Sequence, residues 1–425
     1  MSRPLLRPDL SPLRGSRDYR AAFTSRNVAM FGSQAAEVAL LVQAKQLTGS
    51  PLVVGLLGVA ELLPLVVFGL YGGVLADRFD RRALMRWCEP GLAGCAGLLL
   101  VNALLPHPLV WPLFVVSAAM MGFASLQRPA FEAAIPRLVP LEQITAASAL
   151  LSGSQNICVL LGSSLGGVLA VTPGPWLVYG LDAAGFAVSF LLLSRLPELP
   201  PEPSLDADAD DREPGAAAKP GHALRDILVG LRYAVSRKDL LGSYLADLSA
   251  MIFAYPTALF PFMAVELHAP WATGLMFAVP SVGAFAVSAT SGWMNQVRRH
   301  GLAIAISAAL WGVAMVGFGL SPDIYVALAF LAAAGGADET SGIFRDTLWK
   351  QTIPDHLRGR MAGIELLSYA AGPPAGQLRS GVVAVAAGLR FSLISGGLAC
   401  VAAVAVVCLA LPPFPGVRRR CPVGA

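Results

Sequence analysis

The chain has 425 residues with a formal net charge of +4; 55% of its residues are hydrophobic, only 14% are charged, and its mean hydropathy is +0.63. Soluble domains carry about 25% charged residues, so this composition excludes an ordinary soluble protein and predicts an all-α membrane protein. The basic residues form short, scattered clusters, which excludes a nucleic-acid groove and suits loops that set membrane topology. The six cysteines contain no CxxC spacing, so neither a disulfide framework nor a metal site is predicted.

Apolar runs that are long enough to cross a bilayer recur along the whole chain. A transmembrane helix needs about 20 mostly apolar residues. The sequence contains twelve such runs, at 22–46, 51–76, 83–105, 110–133, 148–171, 176–196, 240–264, 271–294, 301–320, 324–345, 361–386 and 390–411. The first run is the least hydrophobic, since it contains Arg26 and Glu37. In the fifth run, Gly162, Gly166 and Gly167 predict a close approach to a neighbouring helix.

Lys and Arg residues distinguish the two sides of the membrane. The loops after even-numbered runs are basic, as in DRFDRR at 77–82 and VRRH at 297–300, whereas loops after odd-numbered runs, such as TGSP and TPGP, contain almost none. The positive-inside rule therefore places the basic loops and both termini in the cytoplasm. The predicted location is the inner (cytoplasmic) membrane of the cell. The N-terminal arm has no apolar core before a small-residue cleavage site, so no signal peptide is predicted.

The runs divide into two groups of six. The Pro-, Ala- and acid-rich stretch after the sixth run is too polar to insert, and the ALRDILVGLRYAVSRK stretch that follows it predicts a helix on the membrane surface. Arg128 and Arg345 each precede an Ile-Pro pair at matching places in the two groups, as duplicated transporter halves do. We predict an N-terminal arm, a six-helix half, a linker, a second six-helix half and a tail, at 1–21, 22–196, 197–239, 240–411 and 412–425.

The stretch GGVLADRFDRR, between the second and third runs, carries a recognisable motif. Among twelve spans in two pseudo-symmetric halves, it resembles the major facilitator superfamily signature G-x-x-x-D-R/K-x-G-R/K-R/K. The positions that fit are Gly73, Asp77, Arg78, Arg81 and Arg82. Asp80 stands where the family usually has glycine, so the turn must form without a positive φ. Positive loop charges alone would explain the arginines, but the spacing matches the superfamily.

The resemblance implies a conformational latch. In the family, the motif aspartate lies against the N-terminus of the eleventh helix, where free N–H groups favour an anion, and this contact holds the halves together when the cavity faces outward. We therefore predict that Asp77 forms this contact, with Arg128 as its ionic partner and Arg345 at the matching place in the second half. The matching stretch SGWMNQVRRHG has Gln296 where the acid should stand, so the second latch is predicted to be weaker.

The likeness extends over nearly the whole chain. Three stretches, 10–32, 47–78 and 358–381, resemble the enterobactin-exporter branch of the superfamily and related drug-efflux facilitators. This resemblance implies proton-coupled export of a small molecule such as a catecholate siderophore. Two alternatives remain: a multidrug or antibiotic efflux pump, and an importer of a metabolite with the same fold. A membrane sensor would need a sizeable soluble domain, which the short linker and tails do not provide.

The sequence also lacks the motifs of common enzymes. No lysine follows a glycine as in a Walker loop, and there is no HExxH zinc motif. We therefore predict a monomeric carrier that uses no cofactor or metal, is not an enzyme, and has a small-molecule substrate, protons and the lipid bilayer as its partners.

Acidic residues inside the predicted spans are candidates for proton coupling, because a charged group at mid-bilayer costs about 2.5 kcal/mol or more. Glu61 is the leading candidate, since it lies about 15 Å into the second span; the alternative is a hydrogen-bonded packing residue beside Pro64. The other candidates are Asp247, Asp338, Glu339 and Glu37. Because Asp338 and Glu339 are adjacent and repel, at least one is expected to carry a proton at neutral pH.

Other residues are candidates for the substrate cavity or for the span ends. Glu365 in the eleventh span is expected to line the cavity. Phe253 and Tyr255 in the seventh span offer stacking faces to an aromatic ligand, although packing against lipid is the alternative for each. Asp182 and Glu89 lie nearer span ends, where a solvated or capping role is expected.

Overall fold

The computed structural model describes residues 9–78, 80–199, 232, 235–353 and 358–417, and only the backbone within 70–78, 133, 295 and 358–371. Most of the predicted linker and surface helix, and the arginines at 418–420, lie outside the described residues.

The described chain consists of α-helices joined by short turns. The first seven are α1 Ser11–Gly15, α2 Arg17–Thr48, α3 Pro51–Arg78, α4 Arg81–Leu104, α5 Trp111–Leu138, α6 Ile144–Val171 and α7 Pro175–Leu193. The next seven are α8 Lys238–Ala254, α9 Phe260–Glu266, α10 Thr273–Ala289, α11 His300–Leu320, α12 Ile324–Thr352, α13 Arg358–Ala387 and α14 Leu389–Ala410. The prediction of an all-α chain is confirmed for these residues.

The helix ends follow local sequence signals. Between α2 and α3 the chain turns at Gly49, whose φ of +61° is one that glycine adopts without strain, and α3 then begins with Pro51, whose fixed φ suits a first helical position. The carboxylate of Asp323 accepts hydrogen bonds from the N–H groups of Tyr325 and Val326 at 2.8 and 3.0 Å and so caps α12.

One predicted span is broken. The seventh run predicts a continuous helix over 240–264, but α8 ends at Ala254 and α9 begins at Phe260, with a 3-10 turn at Thr257–Leu259 between them. The cause is Pro256, which disfavours a helical conformation in the preceding residue; Tyr255 accordingly has φ −100° and ψ 103°. The eighth run also ends early, since α10 stops at Ala289 and a 3-10 helix follows over Ser291–Gln296.

Several of these helices are suited to a bilayer. Eight stretches of the described chain are long and apolar enough to cross a membrane: Pro51–Gly69, Arg81–Leu104, Leu141–Val171, Pro175–Leu193, Lys238–Glu266, Pro270–Ala289, His300–Leu320 and Leu389–Ala410. The chain is therefore a multi-pass membrane protein. The count of twelve spans stays a prediction.

The chain forms two compact units. Unit 1 comprises Met1–Gln43 and Leu63–Ala217, and unit 2 comprises Ala44–Leu62 and Ala218–Ala425. In unit 1, α4 packs on α5 and α7. In unit 2, α11 packs on α12 and α14, and α10 packs on α12. The predicted domain boundaries stay a prediction.

Small residues permit the closest helix contacts. In unit 1, a Cβ atom on Gly162 would stand 2.7 Å from the carbonyl oxygen of Phe31, and one on Gly166 would stand 2.6 Å from that of Ala35. Both distances are shorter than side chains tolerate, so α6 can approach α2 this closely only with glycine there. The predicted role of these two glycines is confirmed.

Candidate functional site

A buried ion pair joins α8 to α12 inside unit 2. The guanidinium of Arg345 contacts the carboxylate of Asp247 through Nη1 and Oδ1, and the two side chains are only 4% and 3% exposed. Each charge has lost most of its hydration, so each depends on the opposite charge beside it. The structure thus brings a predicted proton-coupling acid and a predicted latch arginine into one site.

Trp349 lies beside this ion pair. Trp349, one turn after Arg345 on α12, donates a hydrogen bond from Nε1 to Oγ of Ser243 at 3.1 Å. Its ring stacks on that of Tyr244 with centroids 4.9 Å apart, and the Arg345 guanidinium carbon lies 6.0 Å from the Trp349 ring centroid. Sequence reasoning missed these neighbours. The signal was present, because Ser243 and Asp247, like Arg345 and Trp349, are four residues apart and share a helix face.

Asp338 adds a second acid to the same region. It lies seven residues before Arg345 on α12, which is about two turns, and it interacts electrostatically with Arg345, Asp247 and Glu339. Glu339 contacts a different helix, since its carboxylate accepts a hydrogen bond from Oγ of Ser288 on α10 at 2.6 Å. The proton expected on one of the two adjacent acids stays a prediction.

Arg128 has a different environment from Arg345, although the sequence places the two at matching positions. Its Nε lies 3.0 Å from Oε1 of Glu132 one turn later on α5, and the two side chains are 68% and 60% exposed. Only the backbone is described for Gly73, Asp77 and Arg78 in α3 and for Glu365 in α13. Their roles stay predictions.

The remaining motif residues tie the start of α4 to the chain after α7. Asp80 caps α4 by accepting from the N–H of Ala83 at 2.7 Å, and its other oxygen accepts from the N–H of Leu199 at 2.7 Å. The backbone N–H of Arg81 donates to the carbonyl of Leu199 at 3.1 Å, and Nη2 of Arg82 donates to the carbonyl of Ser194 at 2.7 Å. Asp80 has φ −54°, so the prediction of a turn without positive φ is confirmed.

Four further candidates lie on α2, on α3 and at the end of α8. Glu37 is exposed on α2 and accepts a hydrogen bond from Nε2 of Gln34 at 3.3 Å. Glu61 is half-buried in the first part of α3, which belongs to unit 2. Phe253 and Tyr255, at the end of α8, are half-buried against the hydrophobic core of unit 2. Their proposed roles in proton coupling and substrate stacking stay predictions.

The prediction for Glu89 and Asp182 is wrong. Both were expected to be solvated or to cap helix ends, but they are 2% and 0% exposed in unit 1. Oε1 of Glu89 accepts a hydrogen bond from Nε2 of Gln127 at 2.6 Å, and Asp182 lies against the backbone of Gly32 on α2. The error arose because position along a span sets the depth of a residue but not whether its face packs against another helix.

The chain is similar in sequence to a known family of membrane proteins. The family model described as transmembrane secretion effector matches residues 8–417. The enterobactin exporter EntS of Citrobacter koseri is 31% identical over 366 residues, which cover 84% of this chain and 82% of that protein. The enterobactin exporter EntS of Shigella boydii is 30% identical over 367 residues, with the same coverage of both proteins.

Two solved structures show the same fold. A POT family transporter in complex with 5-aminolevulinic acid matches with a TM-score of 0.74 at 11% identity, over 94% of this chain and 97% of that one. A bacterial homologue of the human lysosomal transporter Spinster was solved in an inward-facing and unoccupied conformation. It matches with a TM-score of 0.73 at 14% identity, over 95% of this chain and 98% of that one. The family match over residues 8–417 and the relatives of 30–31% identity show that the chain is a major facilitator transporter. The chain belongs to the transmembrane secretion effector family of this superfamily, whose members are transporters rather than enzymes.

Proposed function

We propose that this transporter exports a small anionic molecule, such as a catecholate siderophore, from the cytoplasm in exchange for protons. The observation that carries the proposal is the identity of 30–31% with two enterobactin exporters over 84% of the chain. In this proposal the protein is a monomer in the inner membrane. Its twelve spans form two six-helix halves, at 22–196 and 240–411, and both termini lie in the cytoplasm. Basic loops after the even-numbered spans support this orientation.

The buried ion pair supports proton coupling. A proton on Asp247 would remove its charge from the ion pair with Arg345, and removing one partner of a buried ion pair costs about 3–5 kcal/mol. That cost is close to the roughly 5.5 kcal/mol that moves a two-state equilibrium from 1:99 to 99:1. An anionic substrate, or Asp338, would then supply a new counter-charge to Arg345. Proton binding and substrate binding would in this way favour different states of the same carrier.

Transport in liposomes tests the function. The purified protein would be reconstituted with a pH-sensitive dye inside, and a catecholate siderophore or an amphipathic drug would be added. We expect the siderophore to evoke proton flux. Flux with drugs alone would replace the siderophore with a multidrug substrate, and accumulation of the substrate in intact cells would replace export with import. No flux with any ligand would contradict the proposed coupling.

Variants in the same assay identify the proton-binding acid. Glu61→Gln, Asp247→Asn and Asp338→Asn each remove one candidate charge without changing side-chain size. Loss of flux in Glu61→Gln alone would assign the proton to the second span, as the sequence predicts. Loss in Asp247→Asn or Asp338→Asn would assign it to the ion-pair site. Glu142→Gln is the matched control, because Glu142 is exposed on the 3-10 helix Leu141–Gln143 and belongs to none of the proposed sites, and we expect its flux to stay at the wild-type level.

A further inference from the structure

A groove in unit 2 runs along one side of α11. It has a volume of about 940 Å³ and lies between α10, α11 and α12. One wall is a stripe of aliphatic side chains on α11, which recur at helical spacing and are each 36–54% exposed: Leu302, Ile306, Leu310 and Val313. In a multi-pass membrane protein, exposed apolar side chains of this kind suit contact with hydrocarbon rather than water. The groove is therefore open to the bilayer.

The length of the stripe matches one leaflet. From Leu302 to Val313, α11 rises about 16 Å, and half of a hydrocarbon core of about 30 Å is roughly 15 Å. Small residues of the neighbouring helices, including Gly283 on α10 and Gly336 and Ala337 on α12, also line the groove. Gly283 lets α10 lie directly against the backbone of α12, since a Cβ atom there would overlap the carbonyl oxygen of Ala332. Phe330 lines it as well. The space therefore has the length of one acyl chain that extends from the membrane surface to mid-bilayer.

The polar end of this groove is positively charged. Arg298 and Arg299 line it and are exposed, and neither forms an ion pair with any acid among the described residues. Trp293 lines the same end, and tryptophan is typical of the membrane–water interface. The planar guanidinium group matches phosphate with paired hydrogen bonds, and basic pockets between transmembrane helices bind anionic headgroups.

We propose that this groove, defined by Arg298, Arg299 and the stripe from Leu302 to Val313, is a binding site for an anionic glycerophospholipid. The phosphate binds the two arginines, and one acyl chain lies along the stripe on α11. Charge complementarity selects an anionic headgroup, and the apolar wall selects a lipid over a free phosphate ion. The site lies within unit 2 and involves none of the residues proposed for proton coupling.

Native mass spectrometry of the delipidated, full-length protein tests the proposal. The protein would be titrated in detergent with phosphatidylglycerol or phosphatidylcholine, and bound lipids would be counted. We expect preferential binding of phosphatidylglycerol. In Arg298→Gln/Arg299→Gln the preference should fall by about fivefold per arginine and roughly 25-fold for both. Arg14→Gln/Arg17→Gln is the control, because it removes the same charge from two exposed arginines of unit 1, and it should bind like wild type.

Two further variants separate the parts of the site. Arg298→Lys/Arg299→Lys retains the charge and should retain most of the phosphatidylglycerol binding. Ile306→Trp narrows the apolar wall without changing the charge, and it should also weaken phosphatidylglycerol binding. Equal binding of both lipids, or unchanged binding by both Arg298→Gln/Arg299→Gln and Ile306→Trp, would overturn the proposal. Full competition by millimolar inorganic phosphate would overturn it too, because a lipid held along the groove should resist a free ion. Gel filtration would confirm that each variant is folded.

Discussion

The ion pair of Asp247 and Arg345 is the most deeply buried ion pair among the described residues. Both side chains are nearly inaccessible, so removal of either charge takes the ion-pair partner away from a charge that stays buried. We expect Asp247→Asn or Arg345→Gln to lower the free energy of unfolding by about 3–5 kcal/mol. The double variant should cost less than the sum of the two, because it leaves no isolated charge. Unfolding in mixed detergent micelles, evaluated as a double-mutant cycle, would measure this coupling.

The pair of Arg128 and Glu132 is the natural control for that cycle. It joins the same kinds of charged group, but both side chains are mostly exposed. Water screens such pairs, and pairs of this spacing on one helix contribute only about 0.3–0.5 kcal/mol. A coupling energy for Asp247 and Arg345 that is no larger than that of this control would contradict the assignment of a buried pair.

At the residue scale, the sequence predicts which groups are unusual but not how they pair. Asp247 and Arg345 both stand out, because charges inside apolar runs are rare, yet they are 98 positions apart and no local pattern links them. Glu89 and Asp182 show the opposite failure. Their burial follows from packing of α4 on α7, which depends on tertiary contacts that a single helix does not reveal.

At the scale of elements, Asp80 joins two helix ends. Asp80→Ala removes the cap of α4 and also the acceptor for the N–H of Leu199. We expect a loss of about 0.5–2 kcal/mol for the cap, with a further loss for the second bond. Asp80→Asn should be intermediate, since its single side-chain carbonyl can cap α4 but its amide nitrogen cannot accept from Leu199. Thermal melting in detergent would rank wild type, Asn and Ala in that order; an Ala variant as stable as wild type would contradict this role.

Gly166 tests the close approach of α6 to α2. A methyl group there would overlap the backbone of Ala35, so Gly166→Ala should destabilise unit 1 even though alanine is the better helix former. Gly153 lies on the same helix, and a Cβ atom added to it would meet no other atom within 4 Å, so Gly153→Ala should stabilise the protein by up to about 1 kcal/mol. We expect the melting temperature to fall in Gly166→Ala and to rise in Gly153→Ala. This difference would separate the effect of helix packing from the effect of helix propensity. A stabilising effect at both positions would show that the helices can move apart without cost.

The elements themselves are largely predictable, because long apolar runs in a bilayer have few alternatives to helix. The helix predicted from the seventh run is an exception, because it is broken in the structure. The seventh run contains Pro256, and its effect on Tyr255 was visible in the sequence, but hydrophobicity alone predicted an unbroken helix. The groove beside α11 was not predictable in this way, since its small residues come from α10 and α12 and meet only in the folded protein.

At the scale of the whole molecule, the predicted latch should affect the rate of transport without affecting substrate contacts. A carboxylate at a helix N-terminus contributes about 0.3–1 kcal/mol, or up to about 2 kcal/mol when partly buried. Asp77→Asn should therefore change the flux by about two- to thirtyfold while the substrate dissociation constant in detergent changes little. Loss of a proton-coupling acid should instead abolish the flux. The size of the flux change therefore distinguishes latch residues from proton-coupling residues.

Adding an acid at Gln296 would test the latch in the opposite way to removing the acid at Asp77. It occupies the position in the second half where the motif would place an acid, and its side chain is exposed at the end of the 3-10 helix Ser291–Gln296. If the motif aspartate acts as a latch, Gln296→Asp should create a second one and favour the same carrier state that Asp77 favours. The flux of Gln296→Asp would then shift in the direction opposite to that of Asp77→Asn, and the double variant would lie between them. A shift in the same direction for both variants would mean that Asp77 acts through loop charge rather than through a contact between helices.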